Sequence, residues 1–226
     1  MPEPSRFPFI ARAAKAFAAR LATFHPTKDN ASLAAARLRL DARKWTPDLL
    51  RQLEWRRFEE LCVAYYQALG FSTHIEGIGA DGGVDIFLTM PPSAAPALLA
   101  RCKAWDAYRV GIKVVKDLRA SASAAKIADA VLLTSGRFTQ EALDLAGKER
   151  VEMIDGSGLL KKLAALPPEK SLALLEFATT GDFLTPTCPS CSVKMISRKS
   201  TKGGRPFWGC TNYPQCKQTI FASAPG

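Results

Sequence analysis

The sequence predicts an α/β protein in which helices flank a mixed β-sheet and a small metal-binding module follows. Three observations predict this fold class. An amphipathic helix precedes three strand-like runs, the later strands alternate with helices, and four of the six cysteines lie in the last 39 residues. Consecutive strands favour antiparallel pairing, whereas strand–helix alternation favours parallel pairing. A chain of 226 residues can bury one core and carry a small appended module.

The elements follow from the spacing of apolar residues. The clearest helix covers residues 54–69, and Gly70 is placed to end it with a left-handed residue. Its apolar stripe consists of Trp55, Phe58, Cys62, Tyr65 and Leu69. Turn residues separate three strands at 71–76, 84–90 and 97–105. The remaining elements are a helix at 110–120, a strand at 130–134, a helix capped by Thr139, a strand at 151–155 and a helix at 158–166.

Composition and charge divide the chain into four segments. Residues 1–44 form a basic, helical N-terminal extension, 45–166 the α/β domain, 167–187 a linker with a further short helix, and 188–221 the cysteine module. The extension contains a basic amphipathic helix at 9–24. Such a helix can contact nucleic acid or a membrane surface, resemble a targeting peptide, or pack on its own domain.

The net charge of +10 is concentrated at the two ends of the chain. Residues 1–44 hold nine basic and three acidic residues, and residues 188–226 hold six basic residues and no acidic one. Basic ends on a nearly neutral core favour a polyanion such as DNA as partner, and the alternative is a solubilising surface charge. The chain has no apolar run of about 18 residues. We therefore expect a cytoplasmic protein without stable membrane insertion.

The C-terminal cysteines have the spacing of a structural zinc site. Cys188 and Cys191 form a CxxC pair, and Cys210 and Cys216 follow after an 18-residue gap. Four thiolates suit tetrahedral Zn²⁺, and the ion would supply folding energy that so short a segment lacks. The alternative is four unliganded thiols in a disordered tail. Cys62 and Cys102 stand apart, and we expect both to be buried core residues.

The cysteine module also carries groups that suit nucleic acid. Its basic residues can contact phosphates and its aromatic residues can stack on unpaired bases. The candidates are Lys194, Arg198, Lys199, Lys202, Arg205, Trp208, Tyr213 and Lys217. The alternative for Phe207 and Trp208 is a place in the miniature core of the module.

Two further motifs place an acid and a cation on neighbouring strands. Asp85 lies in GADGGVDI (79–86) and Lys103 in RCKAW (101–105). A carboxylate that holds Mg²⁺ and a lysine that stabilises developing charge are what a metal-dependent phosphodiesterase needs. The alternative is an ordinary ion pair at the end of a sheet.

Residues 54–165 resemble the catalytic domain of Mrr-type (type IV) restriction endonucleases. The matching pieces are WRRFEEL, ALGF, GADGGVDI, CKAW, VGIKVVKDL and LLTSGRFTQEALDLA. The resemblance implies a restriction-endonuclease-like mixed sheet, Mg²⁺-dependent DNA hydrolysis and a restriction role against foreign or modified DNA. It assigns metal binding to Asp85, the catalytic cation to Lys103, and an acid that completes the site to Glu59.

The resemblance fails at Arg101, where the family has Gln or Glu two residues before the lysine. A guanidinium cannot ligate Mg²⁺. Three interpretations are open. In the first, the centre is impaired and a DNA-binding scaffold remains. In the second, Arg101 holds the scissile phosphate and leaves Mg²⁺ to Asp85, Glu59 and the Cys102 carbonyl. In the third, another acid replaces the missing ligand. The candidate acids are Glu76, Asp81 and Asp106.

The cysteine module resembles the C-terminal zinc ribbon of bacterial type IA topoisomerases. The resemblance covers residues 188–220 and rests on CPSC, the basic Gly-Gly loop, FWGC and NYPQC. It implies DNA binding, preferably to single strands, and not topoisomerase activity. Double-strand cleavage usually needs two centres, so a homodimer is also open.

Overall fold

The computed structural model describes residues 44–76, 84–104, 109–200 and 206–221. The predicted N-terminal helix, the glycine turn at 79–83 with Asp81, Asp106, and the basic residues Lys202 and Arg205 lie outside these ranges. Within them, none of the helices combines the length and the apolarity needed to cross a bilayer.

A five-stranded mixed sheet forms the centre of the first domain. Strands β1 to β5 lie in sequential order; β1, β2 and β3 pair antiparallel, and β3, β4 and β5 pair parallel. The strands are β1 (Ser72–Glu76), β2 (Val84–Thr89), β3 (Leu98–Lys103), β4 (Asp129–Thr134) and β5 (Val151–Ile154). The predicted mixed sheet with an antiparallel portion is therefore confirmed.

Helices cover both faces of this sheet. They are α1 (Pro47–Gln52), α2 (Trp55–Ala68), α3 (Ile112–Ala124), α4 (Gln140–Lys148), α5 (Gly156–Ala164) and α6 (Pro168–Thr179). Helices α1, α2, α5 and α6 share one buried core with alternate residues of the strands, and α3 and α4 share a second core with the others. In β3, Ala100 and Cys102 belong to the first core and Leu99 to the second. Each fully buried leucine contributes roughly 1.5–3 kcal/mol of apolar burial.

Local signals set the ends of the helices. Gly70 follows α2 with φ of +96°, as the sequence predicts. The Thr139 side chain accepts a hydrogen bond from the Ala142 amide and begins α4. Asp155 begins α5 in the same way, through the Gly158 amide at 2.7 Å.

The first residue of α5 must be glycine because the backbone of another element approaches it. A Cβ atom at Gly156 would overlap the carbonyl group of Ser135, which follows β4. The Gly156 amide donates to the Gly136 carbonyl at 3.1 Å in the same close contact. The glycine therefore allows α5 to pack directly under the end of β4.

The segment that we predicted to be a linker, residues 167–187, packs closely on α2. The Lys170 ammonium on α6 donates to the Ala68 carbonyl at 2.8 Å, at the end of α2. Near the start of α2, the Arg57 guanidinium donates to the Phe177 carbonyl at 2.6 Å and lies over the Phe177 ring. Phe183, beyond α6, is fully buried in the first core. Residues 167–187 thus cover the first domain as well as connecting it to the cysteine module.

The cysteine module contains a three-stranded antiparallel sheet in the order β6–β7–β8. Its strands are β6 (Met195–Lys199), β7 (Pro206–Cys210) and β8 (Thr219–Phe221). The module has its own small core of Cys188, Met195 and Cys210, against which Trp208 and Ile220 pack.

Candidate nuclease centre and zinc ribbon

Asp85 and Arg101 face each other across β2 and β3. The antiparallel register pairs them directly, so both side chains leave the same face of the sheet. The guanidinium donates from Nε to Oδ1 and from Nη2 to Oδ2, both at 2.6 Å. This fork geometry satisfies both carboxylate oxygens with one side chain.

Helix α3 completes the surroundings of this ion pair. Arg101 Nη2 also donates to the Ser121 hydroxyl at 3.0 Å. The side chains of Arg101 and Asp85 are only 10% and 19% exposed. Water and salt screen an ion pair that is this well buried less than they screen a surface pair. Removing either partner would leave an unpaired buried charge, which is strongly destabilising. Sequence reasoning missed Ser121, because the predicted helix ended one residue before it.

Lys103 lies two residues beyond Arg101, at the end of β3, and is buried at 6% exposure. Its register partner on β4 is Thr134. Burial raises the pKa of Glu59 on α2, and the positive charge of Lys103 opposes this rise. The pKa of Asp117 on α3 is lowered, first by the hydrogen bond from Lys113 and to a smaller extent by Lys103. Lys103 is therefore within electrostatic range of helices on both faces of the sheet.

Glu59 approaches from the face opposite to the Asp85–Arg101 pair. It lies on α2, which packs with Cys102, whereas Arg101 bonds to α3. Burial raises the pKa of Glu59 to about 8, although the positive charge of Lys103 opposes this rise. At neutral pH Glu59 is thus mainly a protonated carboxylic acid.

Glu76 occupies the register position on β1 directly opposite Asp85. Glu76, Asp85 and Arg101 therefore form a row across three strands on one face of the sheet. The Glu76 carboxylate is 63% exposed and lies 3.4 Å from His74 Nε2. Of the three acids that we considered as compensating ligands, Glu76 is the one that the described residues include.

The oxygen donors of this centre do not fit a Mg²⁺ ion in the arrangement observed. Mg²⁺ needs an accessible carboxylate and dehydrates reluctantly. Both oxygens of Asp85 accept from Arg101, Glu59 lies on the opposite face of the sheet, and a guanidinium carries no lone pair to offer. Arg101 occupies the place of the expected second ligand and repels a cation at close range.

The four predicted zinc ligands, by contrast, come together in a set that fits Zn²⁺. The sulfur atoms of Cys188, Cys191, Cys210 and Cys216 all lie within 4.8 Å of one another. Two of the separations are 3.6 Å (Cys188–Cys216) and 3.3 Å (Cys191–Cys210), against about 3.8 Å for the edge of a tetrahedron with ~2.3 Å bonds. A hydrogen bond with Cys210 lowers the pKa of Cys191 to about 7. The cluster thus offers four soft ligands in a compact, partly buried group.

The predicted DNA-binding residues that the structure describes fall into three groups. Lys199, Lys217, Arg198 and Tyr213 are exposed, and the Arg198 guanidinium lies 5.7 Å from the centre of the Tyr213 ring. Trp208 packs on the cysteine cluster, as the alternative of a miniature core implies. The Lys194 ammonium donates to Glu54 and to the Thr185 carbonyl, so it holds a contact within the chain.

The two remaining cysteines are buried in the first core, as we expected. Cys62 on α2 and Cys102 on β3 have no exposed surface. Burial, followed by a hydrogen bond with Cys62, raises the pKa of the Cys102 thiol. The Cys102 thiol therefore remains protonated at neutral pH.

Comparisons with known proteins agree with this two-part organisation. The profile described as "Restriction endonuclease" matches residues 50–163, and the profile described as "Topoisomerase DNA binding C4 zinc finger" matches residues 185–224. No curated protein sequence matches the chain significantly.

Two solved structures are similar to part of the chain. The DNA modification-dependent restriction endonuclease AspBHI is 20% identical with a TM-score of 0.43, over 62% of this chain. The MspJI restriction endonuclease, solved in complex with a 27-mer oligonucleotide, is 17% identical with a TM-score of 0.36, over 75% of this chain. The chain spans 42% of the length of each. With the restriction endonuclease profile covering half of its residues, the chain belongs to the restriction endonuclease family, in the branch with an Mrr-type catalytic domain.

Proposed function

We propose that the protein is a DNA endonuclease that hydrolyses phosphodiester bonds, acts in restriction of foreign or modified DNA, and uses its zinc ribbon for additional DNA affinity. Membership in the restriction endonuclease family supports the reaction class. The observation that carries the proposal is the placement of Asp85, Arg101 and Lys103 on one face of two adjacent strands.

The chemistry of this group suits a phosphate ester. Hydrolysis adds water to phosphorus, breaks one phosphorus–oxygen bond and builds negative charge on the phosphoryl oxygens. Lys103 is a buried cation that would stabilise that charge. A DNA phosphate binds a guanidinium bidentately, as Asp85 does, so it would compete with Asp85 for Arg101. Once released, the Asp85 carboxylate would accept a proton from the attacking water, and the departing DNA oxygen would take a proton from solvent water.

The magnesium requirement stays a prediction, because Arg101 engages both oxygens of Asp85 in the resting protein. If it holds, the described residue best placed to replace the ligand missing at position 101 is Glu76, because it lies opposite Asp85. In that case Glu76→Gln would reduce cleavage by roughly a hundredfold.

A second function is favoured by the Asp85–Arg101 ion pair itself. A centre whose metal-binding carboxylate is neutralised and whose second ligand is replaced by a cation would be hydrolytically silent. The protein would then be a DNA-binding protein on a nuclease fold, with the zinc ribbon as its binding module.

A plasmid-cleavage assay distinguishes these functions. Purified protein is incubated with supercoiled plasmid, with and without Mg²⁺ or Mn²⁺. We expect nicked or linear products from the wild type and none from Asp85→Ala or Lys103→Ala. Lys113→Ala is the matched control, because Lys113 is an exposed lysine on α3 that pairs with Asp117. Equal cutting by all four proteins would trace the activity to a contaminant and contradict the endonuclease. An inert wild type that still binds DNA would favour the second function.

A further inference from the structure

Glu54 joins the zinc ribbon to the nuclease domain through a buried hydrogen-bond network. Its side chain is 3% exposed, and its oxygens accept from the Thr187 hydroxyl at 2.8 Å and the Thr187 amide at 3.2 Å. Lys194 of the ribbon donates to the same carboxylate at 3.1 Å. The Arg56 amide, in the first turn of α2, is a further donor at 3.1 Å. One buried carboxylate therefore satisfies donors from α2 and from the ribbon together.

Neighbouring contacts hold the same junction from both sides. The Trp55 indole donates to the Thr187 carbonyl at 2.8 Å, and the Glu54 amide donates to the Phe183 carbonyl at 2.9 Å. Thr187 immediately precedes the first zinc ligand, Cys188, and Lys194 lies three residues after Cys191. Thr187 and Lys194 are thus each within three residues of a predicted zinc ligand.

The network also leads toward the candidate nuclease centre. Glu54 begins α2, and Glu59 lies one and a half turns further along this helix. Two of the three N–H groups of the Lys194 ammonium point inward, to Glu54 and to the Thr185 carbonyl. A flexibly tethered ribbon would not need to bury this carboxylate at its contact with α2. A buried carboxylate that lost its four donors would cost far more free energy than a surface contact gains.

We propose that Glu54 is a positioning residue that fixes the zinc ribbon against α2, so that the ribbon and the nuclease centre meet DNA in one set arrangement. The DNA part of this inference rests on the proposed function. If two binding surfaces are already fixed relative to each other, DNA binding does not incur the entropic cost of ordering them. The zinc site would therefore act on DNA binding in two ways, through the exposed groups of the ribbon and through the orientation that Thr187 and Lys194 transmit to α2.

The four tryptophan indole N–H resonances of the full-length, zinc-loaded protein offer a direct test. Trp55 reports the junction, and Trp208 reports the fold of the ribbon. The variants are Glu54→Gln, Thr187→Val and Lys194→Met, with Lys199→Met as the control because Lys199 is an exposed lysine of the same ribbon. The DNA probe is a fluorescein-labelled 20-nucleotide single strand, whose binding is followed by anisotropy.

We expect the first three variants to shift the Trp55 resonance while Trp208 stays in place, and to weaken DNA binding by about three- to tenfold. Glu54 and Thr187 are buried, so neither can weaken binding by losing a phosphate contact. Lys199→Met should weaken DNA binding without moving Trp55. Chelation of zinc should move both resonances.

Two results would overturn the inference. One is a Trp55 resonance that does not shift in Thr187→Val and does not shift after zinc chelation, although chelation shifts the Trp208 resonance. The other is a Trp55 shift with unchanged DNA affinity in all three junction variants. If the wild type fails to bind the probe while Trp55 responds as expected, single-strand binding by the ribbon falls and the junction stands.

Discussion

Arg101 and Asp85 form a bidentate ion pair across two antiparallel strands, at the position where a nuclease of this family is expected to hold a metal ion. Both contacts measure 2.6 Å, and Ser121 supports the guanidinium from α3. The pair has two consequences. Both oxygens of Asp85 are engaged by Arg101 in the resting protein, which leaves neither free for a metal ion. We propose that a DNA phosphate displaces Asp85 from the guanidinium.

The first prediction concerns metal binding at this pair. We expect the zinc-loaded wild type to bind Mn²⁺ only weakly at the centre, and Arg101→Gln to bind it at least tenfold more tightly, since Asp85 then offers free oxygens. Isothermal titration calorimetry measures both affinities. The control is Arg101→Gln combined with Asp85→Asn, which should lose the gain. Equal binding by wild type and Arg101→Gln would show that Arg101 does not block the site.

The second prediction concerns the pH dependence of stability. The folded-state pKa of Glu59, about 8, lies above the ordinary value of 4.5, so the folded protein holds this proton more tightly than the unfolded chain does. The stabilisation is complete below pH 4.5 and is lost as pH rises toward 8, at about 1.4 kcal/mol per pH unit.

Replacing Glu59 with Gln removes this titration. Between pH 5.5 and 7.5 we expect Glu59→Gln to gain about 3 kcal/mol in unfolding free energy relative to the wild type. Guanidinium unfolding at the two pH values measures the difference. A constant difference between the two proteins would mean that Glu59 titrates near its ordinary value and is not buried as described.

The third prediction tests the close packing of α5 under β4. Gly156→Ala places a methyl group against the Ser135 carbonyl, and we expect it to destabilise the protein by about 1–3 kcal/mol. Gly147→Ala is the matched control, because nothing lies within 4 Å of its added Cβ and it is in the last turns of α4. The control should be neutral or stabilising by up to about 1 kcal/mol. Thermal unfolding measures the stability of the two variants, and equal unfolding midpoints would contradict the close contact at Gly156.

The fourth prediction concerns the salt dependence of DNA binding. Each phosphate contact contributes about 0.7–0.9 to the slope of log affinity against log salt. We expect Lys199→Met and Lys217→Met each to reduce the slope by about that amount. Lys148→Met, an exposed lysine at the end of α4, should leave it unchanged. Slopes that do not differ among the three would place DNA elsewhere on the protein.

The fold could be predicted in large part because each element carries a local signal. The α2 stripe, the Gly70 end and the Thr139 cap are short-range features, and the structure reproduces all three. The role of residues 167–187 could not be read in this way. The contacts that bind this segment to α2, such as Lys170 with the Ala68 carbonyl, join residues about a hundred positions apart.

The candidate sites show the same difference between local signals, which the sequence reveals, and contacts between distant residues, which it does not. The cysteine spacing alone predicts the zinc cluster, because a CxxC pair followed by a second pair of cysteines is typical of a tetrahedral Zn²⁺ site. The consequence of Arg101 needed the register, since the sequence places it beside Lys103 but does not show that it faces Asp85. Glu54 was invisible for a similar reason, because its partners Thr187 and Lys194 lie more than 130 residues away.

We propose that Asp85 and Lys103 form a hydrolytic centre that Arg101 controls. Cleavage of supercoiled plasmid by the wild type, Arg101→Gln and Arg101→Gln combined with Lys103→Ala, in Mg²⁺ and in Mn²⁺, tests it most directly. We predict measurable cutting by the wild type, a changed rate or metal preference in Arg101→Gln, and no cutting by the double variant. Absence of cutting by both the wild type and Arg101→Gln, with DNA binding intact, would contradict the claim and leave a DNA-binding protein on a nuclease fold.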